Sequence, residues 1–239
     1  MRDTTIFKKS LKNLEIELNE QQLDQFLTYY ELLIEWNKVM NLTAITEYEE
    51  VILKHFVDSL TLIKVYDLNK SSRILDLGTG AGFPGIPLKI AFPNLEIVLL
   101  DSLNKRIKFL NEVIQKLELK NITAVHGRAE DFGKNSSYRE TFDLCVSRAV
   151  ANLSSLSEYC IPYVKVGGYF IPYKSGKIQE EVDAAKNAVS KLGAKINSVE
   201  TFCLPGSEME RSFVLIKKSK NTAKAYPRSA GKPTKEPLV

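Results

Sequence analysis

Cysteine and histidine are both scarce in this chain. The three cysteines, Cys145, Cys160 and Cys203, share no short spacing, and the two histidines are His55 and His126. An odd, scattered set of thiols builds no disulfide framework and fits a reducing compartment. With so few nitrogen and sulfur ligands, no metal site is expected. Long apolar runs are missing as well, since none reaches the roughly 20 residues that span a bilayer. The opening residues, "MRDTTIFKKSLKNLEI", mix charge through their apolar positions, unlike a signal peptide. These absences predict a cytoplasmic protein with no membrane segment. No obligate protein partner is implied, and a monomer is expected.

What is present is ordinary in amount and uneven in placement. The chain has 239 residues, 44% hydrophobic and 26% charged, enough for one good-sized domain with an appendage. Its formal charge is +4. Residues 217–239 hold six Lys, one Arg and one Glu, a net of +6, so the rest of the chain carries about −2. This basic end is poor in apolar residues and broken by Pro and Gly, which predicts an extended or flexible tail over 220–239. Such a tail suits a polyanion, or it merely keeps the terminus solvated.

Residues 1–70 read as a helical region. Leu23, Phe26, Leu27, Tyr30, Leu33 and Ile34 share one helix face, with Asn19 as N-cap and Gln22 three residues on. A second helix is expected over "EYEEVILKHFVDSLTLIKVY", with Val51, Ile52, Phe56, Leu60 and Ile63 inward. Trp36, Tyr29 and Tyr30 read as core aromatics.

From residue 72 short apolar runs ("RILDL", "LEIVLLD", "NITAVHG", "FDLCVSRA", "GGYFIPY") alternate with helical patterns near 85–92, 104–118, 153–161 and 177–191. This alternation predicts an α/β domain over 71–219 with a parallel sheet and helices on both faces. The last two runs, "KINSVETFCLP" and "RSFVLIKKS", have no helix between them and must pair antiparallel. The expected fold is a mostly parallel seven-stranded Rossmann-like sheet ending in an antiparallel hairpin, as in S-adenosylmethionine (SAM)-dependent methyltransferases.

The stretch "ILDLGTGAGFPGIPL" carries two glycine patterns in different registers. Gly80, Gly82 and Gly85 have the spacing of a dinucleotide turn, whereas Asp76, Gly78, Gly80 and Gly82 have the spacing of SAM sites. Asp101 ends the next strand and can hold ribose hydroxyls in either case. Asp76 separates the two. A pyrophosphate over this turn would face its carboxylate, and at ~6 Å and an effective dielectric of ~20 each like-charge pair costs roughly 3 kcal/mol. SAM carries a sulfonium and an ammonium instead, so the charge argument favours SAM over NAD.

The chain resembles the ribosomal RNA small subunit methyltransferase G family, also called glucose-inhibited division protein B. The resemblance lies in "WNKVMNLTAI", "HFVDSL", "DLGTGAGFPGIPL", "LLDSLNKRIKFL", "VHGRAEDF" and "VSRAVANL", and it runs along nearly the whole chain. It implies methyl transfer from SAM to N7 of a guanine in the 530 loop of 16S rRNA, position 527 in conventional numbering. The partner is then 16S rRNA or the small ribosomal subunit. It implies cofactor contacts from Gly78 and Phe83, with Ala129 and Glu130 on the adenine side. Arg148 matches the arginine after the fourth strand, at the site and against the cofactor. Arg128 and Lys174 match basic positions on the RNA side, and Lys174 is a second candidate for the reaction itself. One departure is that some members have Lys-Gly where this chain has Lys174-Ser175-Gly176.

The chemistry agrees by omission. Guanine N7 has a free lone pair and no proton, so positioning suffices and no general base is needed. Neither an N-P-P-Y type tetrapeptide nor a cysteine placed for attack on a pyrimidine follows the fourth strand; "SRAV" stands there. Cys145, inside that strand, reads as a small core residue. His55 reads as packed or hydrogen-bonded. Arg148 is expected to position the guanine through O6 or a phosphate, because N7 must stay free. The bland reading of the same residue is a salt bridge at the strand end. Two other functions share the fold: a small-molecule SAM methyltransferase with an enclosing lid, and a non-catalytic rRNA-binding assembly factor.

Overall fold

Buried apolar runs account for the central strands, and a side-chain cap opens the longest helix. The computed structural model of the chain describes residues 3–148 and 150–238. Helix α1 (Thr5–Asn13) precedes α2 (Glu20–Met40), which begins in the expected capping box. The Asn19 side chain accepts from Gln22 N at 2.9 Å, and Gln22 Oε1 accepts from Asn19 N at 2.9 Å. The same Gln22 donates to Ile90 O at 2.8 Å, and Gln25 donates to Leu117 O at 2.7 Å, which ties α2 to the domain that follows.

The second expected helix is present over 48–64 but is not one regular helix. It runs through α3 (Tyr48–Val51), a π-helical turn (Ile52–Val57), α4 (Asp58–Leu60) and a 3₁₀ turn (Thr61–Lys64). Val51, Ile52, Phe56 and Leu60 are buried as expected. The changes of pitch move the last inward position, so Leu62 is buried and Ile63 is only partly covered.

The described residues form one seven-stranded sheet of order β3-β2-β1-β4-β5-β7-β6. The strands are β1 (Arg73–Leu77), β2 (Glu96–Asp101), β3 (Ile122–His126), β4 (Phe142–Arg148), β5 (Val164–Ser175), β6 (Ala194–Cys203) and β7 (Glu210–Lys218). The first five are parallel to one another, and β7 runs antiparallel between β5 and β6. The expected sheet and closing hairpin are therefore both present. The middle of β4 shows how the faces divide. Leu144 and Val146 join the core beneath α1, α2, α5 (Gly85–Ala91) and α6 (Asn104–Lys116), while Cys145 between them joins the core on the other face. Phe142 also reaches that other face, because the register shifts between it and Leu144. That second face is covered by α8 (Leu153–Cys160) and α9 (Gln179–Lys191), with the short α7 (Ala129–Phe132) beside α8. Because β1 lies between β2 and β4, the strand order reverses there and leaves a crevice at the carboxyl ends of the strands.

The basic end departs from the flexible tail expected of it. It runs back over the second face and contains α10 (Lys232–Lys235). The Arg139 guanidinium donates to the carbonyls of Thr222 and Tyr226 at 2.7 and 2.8 Å, and Pro233 and Leu238 are buried. Lys218, at the end of β7, is buried against Ile161 O and the Thr222 hydroxyl at 2.9 and 2.6 Å. Burial lowers its pKa to about 8. Lys218, one of the cations counted in this segment, thus serves as an internal fastening.

Candidate active site

The glycine loop is built around two carboxylates. Asp76, on β1, is fully buried, and its Oδ2 accepts from the Thr79 hydroxyl at 2.6 Å and from Gly85 N at 2.8 Å. The second bond engages the first N–H of α5, the group a dinucleotide phosphate would use. Oδ1 of Asp76 is buried with no hydrogen-bond partner among the described residues. Burial pushes its pKa up to about 6, against the opposing pull of the Thr79 and Gly85 hydrogen bonds. Asp101, at the end of β2, accepts from Gly80 N and Leu103 N, both at 2.9 Å, and from Arg106 at 3.1 Å. From the helical region, the Tyr29 hydroxyl donates to Ala81 O at 2.5 Å.

Above the loop lies a cleft of about 390 Å³ at the carboxyl ends of β1, β2 and β3. Leu77, Leu100 and Val150 give it apolar walls, while Asp101, Ser102 and Glu130 supply polar groups. Gly78 has φ +71° there, and a Cβ on it would come within 2.6 Å of Val150 Cγ2, so only glycine fits. Of the residues expected at the cofactor, Gly78, Asp101, Ala129 and Glu130 line this cleft together with Arg128. Asp76 lies beneath it, and Gly80 reaches it through Asp101. Gly82 and Phe83 are not part of its lining. Phe83 turns toward the helical region instead, stacked on His55 at 4.5 Å between centroids, with the Arg148 guanidinium 5.0 Å above its ring.

Arg148 lines a second cleft, of about 490 Å³, between the helical region and the ends of β4 and β5. It donates through Nη1 to Asp58 Oδ2 at 2.8 Å and Lys54 O at 3.1 Å, and through Nη2 to His55 Nδ1 at 3.2 Å. Asp58 also accepts from Arg211 Nε at 2.8 Å, so one buried carboxylate joins the helical region to β4 and β7. Burial first, and the neighbouring Arg148 second, lower the His55 pKa to about 3. The ring is therefore neutral, and with Nδ1 accepting, Nε2–H faces the Thr43 hydroxyl at 2.9 Å. Lys174 lines the same cleft and donates to Ala151 O at 2.9 Å and Glu181 Oε1 at 2.5 Å.

A family model described as "rRNA small subunit methyltransferase G" matches residues 22–213. The chain belongs to that family. A protein named ribosomal RNA small subunit methyltransferase G from Lachnoclostridium phytofermentans is 61% identical over 239 residues, 100% of this chain and 99% of the relative. One of the same name from Desulforamulus reducens is 52% identical over 240 residues, covering 100% of both chains. Solved structures are similar in fold alone. TYW2 of M. jannaschii in complex with AdoMet gives a TM-score of 0.56 at 15% identity over 73% of this chain and 79% of that one. A SAM-dependent methyltransferase from Aquifex aeolicus gives 0.52 at 18% identity over 71% and 93%.

In this family member the residues that suggested a single site fall into two neighbouring clefts, with the end of β4 between them. Val150 faces one and Arg148 the other. Sequence reasoning missed Lys54, Asp58 and Arg211 in the second cleft and Tyr159, Ala230 and Gly231 in the first. Asp58 lies inside "HFVDSL", one of the stretches that carried the resemblance. Nothing local marks Arg211, because its role depends on a carboxylate 153 residues away.

Proposed function

We propose that this chain methylates N7 of a guanine in the 530 loop of 16S rRNA, at position 527, with the acceptor entering the second cleft. The methyl donor is S-adenosylmethionine, which supplies a methyl group already activated on a sulfonium. The first cleft fits it: apolar walls suit an adenine, Asp101 suits ribose hydroxyls, and a buried carboxylate oxygen without a partner lies below.

The observation that carries the acceptor reading is the second cleft, where Lys54, Arg148, Lys174 and Arg211 gather beside the donor cleft. Cations in such a groove suit a phosphate backbone. Arg148 commits both Nη1 hydrogens and one Nη2 hydrogen to protein, leaving Nε–H and the other Nη2 hydrogen for a ligand. Two donors on a guanidinium suit guanine O6 or a phosphate and leave N7 free to attack. Neutral His55 is already committed on both ring nitrogens and is no proton acceptor here. That agrees with a reaction in which no proton leaves before attack.

A small-molecule methyltransferase is the weaker reading, because a cationic groove beside the donor cleft serves a polyanion. The test is strand cleavage at 7-methylguanine in 16S rRNA from cells with and without the gene, repeated with purified protein on unmodified small subunits. Gene-dependent cleavage at the single expected guanine is the expected result. An unchanged pattern would refute the proposal.

A further inference from the structure

One wall of the donor cleft comes from the far end of the chain. Ala230 and Gly231 line it. Gly231 N donates to Glu130 Oε1 at 2.9 Å. Arg228 grips Glu158 through Nη2 to Oε2 at 2.6 Å, Nε to Oε1 at 2.9 Å, and its backbone N to Oε1 at 2.8 Å. Tyr159, itself a lining residue, shares a hydroxyl hydrogen bond of 2.7 Å with Thr234. Glu158 is fully buried on α8, and among the described residues only Arg228 meets its carboxylate. A buried charge needs such a partner, which fixes where the tail lies.

Glu130 shows what this placement does. It is 7% exposed, and with Oε1 held by Gly231, its Oε2 accepts nothing among the described residues. An acceptor at the edge of the cleft thus remains for a ligand N–H, such as the exocyclic amino group of adenine. Without the tail, both oxygens would be free to turn to water.

We propose that residues 228–231 are a donor-positioning element: Arg228, latched on Glu158, holds Gly231 against Glu130 and closes the adenosine end of the cleft. This rests on the reading of that cleft as the SAM site. Arg228 acts through other groups, so its effect falls on donor affinity more than on turnover.

Hydrogen exchange on the full-length protein, with and without S-adenosylhomocysteine, tests it directly. The ligand is expected to slow exchange at 229–234 together with 78–82 and 127–131. Slowing at the latter two segments with 229–234 unchanged overturns the proposal and leaves the donor site standing. No slowing anywhere overturns both. Kinetics give a second arm. Arg228→Met is expected to raise the KM for SAM about tenfold through lost preorganisation, while kcat at saturating SAM falls far less. Arg228→Lys, which keeps the charge but not the fork, should fall between. A lower melting temperature with an unchanged KM for SAM would mean that the tail is only structural.

Discussion

Asp76 and Arg148 both differ from what their positions suggest, and both can be tested singly. Asp76 organises the loop from below, tying Thr79 and Gly85 together, and its burial lifts its pKa to about 6 from 3.8. Folding therefore takes up a proton between these values, so this contribution to stability is full below pH 4 and is lost as pH rises through about 6. Asp76→Asn removes that dependence. Urea unfolding should find the variant gaining about 2–3 kcal/mol relative to wild type between pH 4 and pH 7.5. His55 runs the opposite way, since its pKa is lowered to about 3 and its contribution is lost as pH falls below about 6.5. The two partly offset each other in the wild type, and the variant isolates one of them. Arg148→Ala should lower kcat/KM on small subunits by about 100-fold, the cost of misplacing a reactant. SAM affinity measured by calorimetry should change little if the first cleft holds the donor, because Arg148 lines the second. Equal losses in both would place Arg148 at the donor instead.

The helical stretch 48–64 shows how an irregular element serves the site. Its π-helical turn carries Lys54 and His55 to the second cleft, and Asp58 follows to bind Arg148 and Arg211. Asp58→Ala would leave two cations without their shared anion. Denaturant melts should show a loss of about 3 kcal/mol, in the range for breaking a buried pair. Asp58→Asn, which still accepts hydrogen bonds, should lose less. The seven strands were legible in sequence because short apolar runs set off from helical patterns are a local signal. The capping box at Asn19 and Gln22 was legible for the same reason. The π turn was not, since its residues look like any amphipathic helix and its pitch answers to the surface beneath it. The tail was misread because composition counts charges without their partners. Glu158 sits in "LSSLSEYC", and nothing in that octet says that Arg228 will meet it.

At the scale of the whole molecule, the helical region, the sheet and the tail share in two adjoining clefts of different electrostatic character. Polyanion binding in the cationic cleft should weaken steeply with salt, while donor binding responds little. Raising salt from 50 to 200 mM should therefore raise the KM for small subunits far more than the KM for SAM, and Lys174→Ala should flatten that slope. A slope that Lys174→Ala leaves unchanged would remove Lys174 from the RNA path. The tail has a further consequence, for proteolysis. Lys224 is exposed on the approach to Ala230 and Gly231, which line the first cleft. A ligand that braces this wall should slow tryptic cutting at Lys224. Cutting there at the same rate with and without S-adenosylhomocysteine would count against a wall that responds to the donor.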